Sequence, residues 1–353
     1  MDEETPESAP RVPALVYFHG GGMTVGNRAS WQPAWLRDRV IENGLIFISA
    51  EYTLVPPSNG HHVLADVKAL FHFVHHEVNR LLWDKQSQAH GEPGVARRAH
   101  RPKLQLDPKS VAVAGSSAGG LCAYLAAAHA SPRPKAVLSL YGMGGDFMTP
   151  HYLSPKTDVF FRGRELLDPS LFSEYLYPRC LALEATADSP LTYHSANSAT
   201  PGLPSNPRMY VARLYLQMGT YLDYYTGCHD PSISMTLRNT LFGHDRSQST
   251  PHLHPPIPED QCPIFPQYSI NTAWPPTFLI HGTADTAVHV HESLCMESAL
   301  RSAGVQVTLR RVEGEEHSFD YSPGAEQKYG QIGGLFDEAV EFLVRHLRSA
   351  GVH

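Results

Sequence analysis

Short runs of apolar residues that alternate with helical stretches are the feature that most limits how this chain can fold. The runs are five to eight residues long and rich in β-branched or aromatic side chains, which is typical of strands buried on both faces. Strands are predicted at Ala14–His19, Leu45–Tyr52, Ser110–Gly115, Lys135–Tyr141, Thr277–His281 and Val307–Val312. Because strands that alternate with helices form parallel sheets, the sequence predicts an α/β fold with a doubly wound, mainly parallel sheet of about six strands.

Amphipathic segments between the strands predict the helices that cover this sheet. Apolar residues recur at helical spacing from Val63 to Leu81 and again from Ile332 to Leu347. A further helix, rich in tryptophan, is predicted over Trp31–Glu42.

The alternation stops over residues 147–275, which hold 16 of the chain's 29 prolines. We interpret this segment as an insertion of short helices and loops, with helices predicted over Ser170–Ala185 and Met209–Tyr225. Residues 1–146 and 276–353 then form the core domain. Since the insertion lies between two strands of the predicted sheet, it is a candidate lid.

Charge and hydropathy argue against two classes of partner. The formal net charge of −7 disfavours a broad electrostatic contact with nucleic-acid phosphates. No apolar run reaches the length of about 18 residues that a membrane-spanning helix needs. The first residues, Met-Asp-Glu-Glu-Thr-Pro-Glu, are acidic and lack the apolar segment of a secretory signal, so a cytoplasmic location is expected.

Cysteine and histidine patterns predict neither a disulfide framework nor a metal site. The five cysteines are scattered without a C-x-x-C motif, which favours free thiols in a reducing compartment. Three histidine pairs have spacings that could place two imidazoles on one ion: His72 with His76, His252 with His254, and His289 with His291. No H-E-x-x-H motif or carboxylate completes these pairs, so we expect solvated histidines there.

The turn after the third predicted strand carries the first candidate catalytic residue. The strand Val111–Ala114 runs into Gly115-Ser-Ser-Ala-Gly-Gly120 and then into a helix of small residues, Leu121–Ala130. This is a G-x-S-x-G motif between a strand and a helix, where glycines permit a sharp turn that exposes the central serine. The register makes Ser117 the candidate nucleophile.

A serine hydroxyl needs a base to take its proton and an acid to orient that base. Asp285 lies just past the fifth predicted strand and His317 follows the sixth, which gives the chain order Ser117, Asp285, His317 typical of α/β-hydrolases. Two alternatives stay open for the acid. Asp285 could serve only to cap a helix that starts near Val288. A neighbouring acid could orient His317 instead: Glu315, Glu316 or Asp320.

Three consecutive glycines follow the first predicted strand, in the motif His19-Gly-Gly-Gly22. Glycines let another group approach the main chain closely. Acyl transfer develops negative charge on a carbonyl oxygen, and one backbone donor aimed at that oxygen lowers the barrier by about 3–4 kcal/mol. We assign this oxyanion role to the N–H groups of Gly21, Gly22 and Ala118. A phosphate loop fits less well, because neither GxxxxGK[ST] nor GxGxxG occurs.

Together these motifs resemble the hormone-sensitive-lipase-like carboxylesterases, also called the α/β-hydrolase fold-3 family. The matching segments are His19-Gly-Gly-Gly22, Glu51-Tyr-Thr-Leu-Val-Pro56, Gly115-Ser-Ser-Ala-Gly-Gly120 and the loops that carry Asp285 and His317. The resemblance implies an eight-stranded sheet, a cap over the acyl pocket, no cofactor, and hydrolysis of small to medium esters. A serine carboxylesterase is therefore the leading functional expectation.

The chain departs from this family in three places. Ser116 stands where the family usually has aspartate, and Thr53 and Val55 interrupt the usual Glu-Tyr-Arg-Leu-Ala-Pro motif. Only 13 residues precede the first predicted strand, so either the sheet is shortened to about six strands with the N-terminal strands missing, or the gene model is truncated. A sheet edge left uncovered in this way favours a homodimer.

Two other kinds of function fit the same motifs. An amidase, an aryl formamidase or a hydrolase that tailors a secondary metabolite would use the same catalytic groups on a different bond. A non-catalytic ligand receptor on this fold, as in the gibberellin receptors, would lack the catalytic histidine, which is present here as His317. Turnover of matched ester and amide substrates separates the enzymes, and binding without turnover identifies the receptor.

Overall fold

A parallel sheet lies at the centre of the computed structural model, which describes residues 9–89, 103–243 and 257–349. Its six strands among the described residues are β1 (Arg11–Phe18), β2 (Ile46–Ala50), β3 (Gln105–Ser116), β4 (Val137–Leu140), β5 (Thr277–Gly282) and β6 (Val307–Val312). They are ordered β2-β1-β3-β4-β5-β6, and every neighbouring pair is parallel. The prediction of a parallel sheet of about six strands at these positions is confirmed.

Helices cover both faces of the sheet, because successive side chains of a strand point to opposite faces. On β1, Val16 and Phe18 join one buried cluster, whereas Leu15 and Tyr17 join the other. The first cluster includes side chains of α2 (Gly60–His76), α4 (Ala118–His129) and α9 (His291–Ser302). The second includes α1 (Ala34–Glu42), α10 (Ala325–Tyr329) and α11 (Leu335–Arg348). The fold is therefore doubly wound, as predicted.

The strand order reverses between β1 and β3. The chain passes from β1 to the edge strand β2 and then returns to place β3 on the other side of β1. In open α/β sheets, ligands bind outside the carboxyl ends of the strands at such a reversal. The glycine motif after β1 and the G-x-S-x-G turn after β3 both lie at these ends, so the topology brings the two motifs together.

The long helix predicted from Val63 to Leu81 is two helices. Helix α2 ends at His76, Glu77 leaves the helical conformation with φ −121°, and α3 (Val78–Ala89) begins directly after it. The side-chain amide of Asn79 makes hydrogen bonds of 2.7 and 2.9 Å with the backbone of Leu106 on β3. These bonds fix the start of α3 against the sheet, a contact that hydrophobic periodicity does not encode.

Both helices predicted in the insertion also differ from the structure. The Ser170–Ala185 prediction is wrong, because the segment forms two 3₁₀ turns, Pro169–Tyr175 and Arg179–Ala182. Pro178 lies between them, and a proline has no N–H to continue a helix and its ring obstructs the preceding turn. The Met209–Tyr225 prediction covers two helices, α6 (Arg208–Met218) and α7 (Tyr221–Thr226). Gly219 ends α6 in a left-handed conformation, φ +64°, that favours glycine.

The rest of the described insertion consists of short elements, as expected. They are α5 (Pro150–Leu153), α8 (Ile233–Phe242) and the 3₁₀ turns Glu259–Ile264 and Pro266–Tyr268. Tyr221 and Tyr225 of α7 are buried in the same cluster as α2 and α4, so the insertion packs onto the core. Among the described residues, none of the helices has both the length and the apolar composition needed to span a bilayer.

Candidate active site

Ser117 occupies the sharp turn between β3 and α4. Its backbone has φ +54° and ψ −122°, a conformation that residues other than glycine rarely adopt. A Cβ atom on Gly115 would lie 2.0 Å from the carbonyl oxygen of Gly119, and one on Gly119 would lie 2.1 Å from that of Phe18. Only glycine fits at these two positions, which gives the physical reason for the G-x-S-x-G spacing.

The structure brings the three predicted catalytic side chains together. The Nε2 atom of His317 lies 3.0 Å from Oγ of Ser117, and its Nδ1 atom lies 2.6 Å from Oδ2 of Asp285. The three residues follow β3, β5 and β6, whose carboxyl ends share one edge of the sheet. An imidazole that donates from Nδ1 to Asp285 has a lone pair on Nε2, and this lone pair faces the serine hydroxyl.

Asp285 both orients His317 and closes its own turn. One carboxylate oxygen faces His317, and the other accepts hydrogen bonds of 2.9 Å from the N–H groups of Ala287 and Val288. Burial alone would raise the pKa of this carboxyl, but the facing His317 and the hydrogen bonds from His281 and His317 hold it well below its usual range. Asp285 is therefore ionised at neutral pH. One of its oxygens caps the turn that follows, and the other orients His317, so both roles considered for this residue apply.

The other three acids considered for this role have different partners. Glu315 forms an ion pair with a lysine of α10, and Glu316 accepts a hydrogen bond of 2.7 Å from the backbone N–H of His317. Asp320 accepts a hydrogen bond of 2.6 Å from the hydroxyl of Tyr141. Among the described residues, Asp285 is the acid that contacts the imidazole ring.

Tyr141 is a site residue that the sequence reasoning missed. It directly follows β4, with φ +40°, and its ring meets the imidazole of His317 edge-on at 4.7 Å between centroids. Burial and the charge of Asp320 raise the pKa of the Tyr141 hydroxyl well above its usual range, so it stays protonated. The available signal was its position at the end of a strand adjacent to β3.

The glycine motif after β1 lies against the Ser117 turn. Gly21 and Gly22 line the same cavity as Ser117, with φ +107° and +62°. Ala118 is the first residue of α4 and is fully buried. In the described parts of the chain, the N–H groups of Gly21, Gly22 and Ala118 have no hydrogen-bond acceptor. Gly21 and Gly22 thus bring backbone donors without a described partner to the cavity, and Ala118 directly follows the serine.

His19 and Tyr52 hold the glycine motif in place through ring stacking and hydrogen bonds to its backbone. The two rings stack at 4.4 Å, and the Tyr52 hydroxyl donates hydrogen bonds of 3.0 and 3.2 Å to the carbonyl oxygens of His19 and Gly20. Burial lowers the pKa of His19 to about 4, so this imidazole is neutral. The departure at Ser116 is also accommodated, because its hydroxyl lies 2.7 Å from that of Tyr17.

A cavity of about 790 Å³ opens above Ser117 and His317. The insertion supplies much of its wall, through residues 161–167 and side chains of α6 and α7. A cavity of this size accommodates a drug-sized ligand.

One set of side chains among the described residues could hold a metal ion. The ligand atoms of Asp146, His291 and Cys295 all lie within 4.8 Å of one another. His291 and Cys295 are one turn apart on α9, and Nε2 of His291 lies 3.0 Å from Oδ2 of Asp146. None of the three lines the cavity above Ser117.

The predicted histidine pairs have separate outcomes. His72 and His76 are exposed neighbours on α2, with ring centroids 4.7 Å apart. His289 packs against the ring of His151 at 4.2 Å. The pair His252 and His254 lies outside the described residues.

Comparison with known proteins gives both distant relatives and a family. Probable carboxylesterase M8 of Phoma sp. is 29% identical over 138 residues, which cover 38% of this chain and 39% of that protein. The non-reducing polyketide synthase ausA of Aspergillus calidoustus is 26% identical over 348 residues, which cover 95% of this chain and 13% of the synthase. This chain therefore spans only a small part of the length of that synthase.

A solved structure shows the same fold. An alpha/beta hydrolase superfamily protein from Enterococcus faecalis is 16% identical, with a TM-score of 0.57, and the match covers 95% of this chain and 93% of that chain. The family model described as alpha/beta hydrolase fold matches residues 15–321. Because that model spans most of the sequence, the chain belongs to the α/β-hydrolase fold-3 family.

Proposed function

We propose that this protein is a serine hydrolase that cleaves carboxylic esters of small to medium substrates. The observation that carries the proposal is the hydrogen-bonded series from Ser117 through His317 to Asp285, with distances of 3.0 and 2.6 Å. It lies at the base of a cavity of about 790 Å³. Nucleophile, base and orienting acid are thus in contact where an ester can reach them.

The geometry supports a two-step acyl transfer. Oγ of Ser117 attacks the ester carbonyl while its proton passes to Nε2 of His317. His317 then gives this proton to the departing alcohol, which leaves the acyl group on Ser117. Water, deprotonated by His317, attacks the acyl group and releases the acid and the free serine. The ionised Asp285 stabilises the imidazolium that forms in each step.

The glycine motif is proposed to stabilise the oxyanion of each tetrahedral intermediate. The N–H groups of Gly21, Gly22 and Ala118 make no hydrogen bond to the described residues. Donors that are already in position need no reorganisation when charge develops on the substrate oxygen.

A second candidate is a hydrolase that tailors a secondary metabolite. The likeness to a non-reducing polyketide synthase over 95% of this chain favours this substrate class. The catalytic steps would be the same, with the acyl group of a secondary metabolite in the cavity. An amidase or aryl formamidase would also use the same groups. Such an enzyme differs in the bond that it cleaves, so matched ester and amide substrates distinguish it from an esterase.

Residues 147–275 are proposed to act as the lid of this site. Supporting this role, α6 and α7 of the insertion contribute cavity wall opposite the catalytic loops. Tyr221 of α7 also donates a hydrogen bond of 3.2 Å to the carbonyl oxygen of Gly22. The insertion thus contributes to the shape of the pocket, and it contacts the glycine motif that is proposed to bind the oxyanion.

Hydrolysis of a 4-nitrophenyl ester series from acetate to decanoate tests the proposal. We expect turnover with an optimum at one chain length, because the cavity volume limits the acyl group. The matched 4-nitroanilides are expected to turn over much more slowly. Equal or faster anilide turnover would identify an amidase, and saturable ester binding without turnover would identify a receptor.

Gly22→Ala is expected to lower kcat about 10- to 100-fold by moving an oxyanion donor. An added Cβ would lie 2.3 Å from Cβ of Ala212 on α6, and apart from the chain neighbours of Gly22 no other described residue comes within 4 Å of that Cβ position. The double variant Gly22→Ala with Ala212→Gly removes the collision and should recover part of the loss. A double variant no better than the single one would contradict this steric explanation.

A further inference from the structure

Arg213 is a buried cation in the wall of the cavity above Ser117, and it has no counter-charge among the described residues. It lies on α6, only 8% exposed, and lines the same cavity as Ser117 and His317. Its guanidinium makes no hydrogen bond or ion pair with any residue that the structure describes. Its contact is with the ring of Tyr210, 5.7 Å from the centroid. Its nitrogen atoms face the cavity without a partner among the described residues, so they are free to bind an anionic group of a ligand there.

A second arginine increases this imbalance. Burial lowers the pKa of Arg213, and repulsion from Arg164 lowers it further. Arg164 lines the same cavity, and its side chain also has no ion pair among the described residues. Three arginines line this cavity, Arg162 being the third, against one carboxylate, Glu165. The wall of the pocket is therefore positively charged.

Arg208 on the same helix shows what a structural arginine looks like in this protein. It is 7% exposed, and its guanidinium donates hydrogen bonds of 3.3 and 2.7 Å to the carbonyl oxygens of Thr24 and Pro56. Arg208 thus donates to backbone acceptors and does not line the cavity, whereas Arg213 lines the cavity and has no acceptor in the described parts of the chain.

Helix α6 places Arg213 in the same cavity as the glycine motif. Its neighbour Ala212 contacts Gly22 so closely that a Cβ on that glycine would collide with it. Arg213 follows Ala212 on α6 and lines the cavity together with Gly22 and Ser117. A ligand that fills this cavity can therefore contact Arg213 while its ester group lies at Ser117.

We propose that the natural substrate is an ester that also carries a free carboxylate, which binds to Arg213 with help from Arg164. This inference rests on the proposed function and names the substrate class for that site. A carboxylate is planar and accepts two parallel N–H bonds from one guanidinium. It also carries a single charge, so placing it in a buried site removes less hydration than placing a phosphate dianion there. An arginine with unsatisfied donors discriminates against a neutral analogue, because the neutral group leaves those donors unpaired.

Two matched pairs of esters test this inference, one for each side of the ester bond. On the acyl side, mono-4-nitrophenyl adipate is compared with the 4-nitrophenyl ester of adipic acid monoamide. On the alcohol side, 4-acetoxybenzoate is compared with its methyl ester. Each enzymatic kcat/KM is divided by the hydroxide-catalysed rate constant of the same ester, which removes differences in intrinsic reactivity.

In at least one pair, the wild type is expected to prefer the carboxylate ester. Arg213→Gln should lower that preference about 30-fold, and Arg213→Lys should lower it less, because lysine keeps the charge and loses the planar fork. Arg164→Gln, at an exposed position, should lower it by a smaller factor. Arg311→Gln removes one exposed positive charge outside the cavity and should leave it unchanged. Turnover of the neutral ester reports whether each variant keeps its fold and catalytic groups.

Three outcomes would overturn the inference without touching the proposed function. They are equal use of both members of each pair by the wild type, equal loss for both members in Arg213→Gln, and an effect of Arg311→Gln as large as that of Arg213→Gln. If the wild type hydrolyses none of the four esters, the proposed function itself fails. Calorimetric binding of adipic acid monoamide then decides the anion site alone: binding that Arg213→Gln abolishes supports it, and no binding to the wild type, or equal binding to both proteins, contradicts it.

Discussion

Ser117→Ala is expected to lower kcat/KM for a 4-nitrophenyl ester by about 10⁵-fold or more, because Ser117 is the cavity hydroxyl that contacts the base His317. The substitution removes one hydroxyl whose partner is His317 at 3.0 Å. Alanine has a Cβ atom as serine does, so the strain of the backbone conformation at residue 117 is unchanged. The thermal midpoint of unfolding should therefore stay close to that of the wild type. Steady-state kinetics and a melting curve on the same preparation check both parts.

Ser116→Ala is the matched control for this substitution. Ser116 is the adjacent serine, but its hydroxyl lies 2.7 Å from that of Tyr17 and has no contact with His317. Its replacement should change kcat/KM by less than about tenfold. If Ser116→Ala abolished turnover while Ser117→Ala retained it, the register of the G-x-S-x-G motif would be wrong.

Asp285→Asn is expected to lower kcat by about 10⁴-fold. An asparagine amide could donate to Nδ1 of His317 and so favour the tautomer whose Nε2 carries a proton, which cannot accept one from Ser117. It would also remove the negative charge that stabilises the imidazolium. Glu316→Gln and Asp320→Asn are the comparison variants, and each should lower kcat by less than about tenfold. A larger loss in either than in Asp285→Asn would assign the orienting role to that acid.

The stability of Asp285→Asn should depend on pH in a defined direction. A carboxyl with a lowered pKa in the folded state contributes stability above its unfolded pKa of about 3.9, and the contribution is lost as pH falls through the folded pKa. The wild type minus Asp285→Asn difference in free energy of unfolding should therefore be larger at pH 7 than at pH 3. Denaturant titrations at the two pH values measure it, and a difference independent of pH would contradict the charge-based explanation.

The sheet could be predicted from the sequence because its strands are buried on both faces. A run such as Leu15–Phe18 must be apolar throughout, and burial of Leu15 and Val16 in opposite clusters is the structural counterpart of that pattern. The insertion lacks this constraint. Its first predicted helix is divided at Pro178, and its second, although amphipathic in sequence, is divided at Gly219.

The contact among the three candidate catalytic side chains could also be predicted, because each follows a strand at the same edge of a parallel sheet. The choice among acids near His317 could not, since five carboxyl groups lie within the two loops and only the folded contact at 2.6 Å distinguishes Asp285. Tyr141 and Arg213 could not be predicted as site residues for a related reason. Tyr141 is remote in sequence from His317, which its ring contacts in the fold. Arg213 lies on a helix whose hydrophobic periodicity does not show which side chains line a cavity and which are packed in the core.

The most direct test of the account is the mass of the protein after reaction with a fluorophosphonate, which forms a stable adduct only with an activated serine. The account predicts one adduct per chain, located by peptide mapping on the peptide that contains Ser117, and no adduct on Ser117→Ala. An unmodified wild type, or an adduct that forms equally on Ser117→Ala, would contradict the claim that Ser117 is the nucleophile of a serine hydrolase.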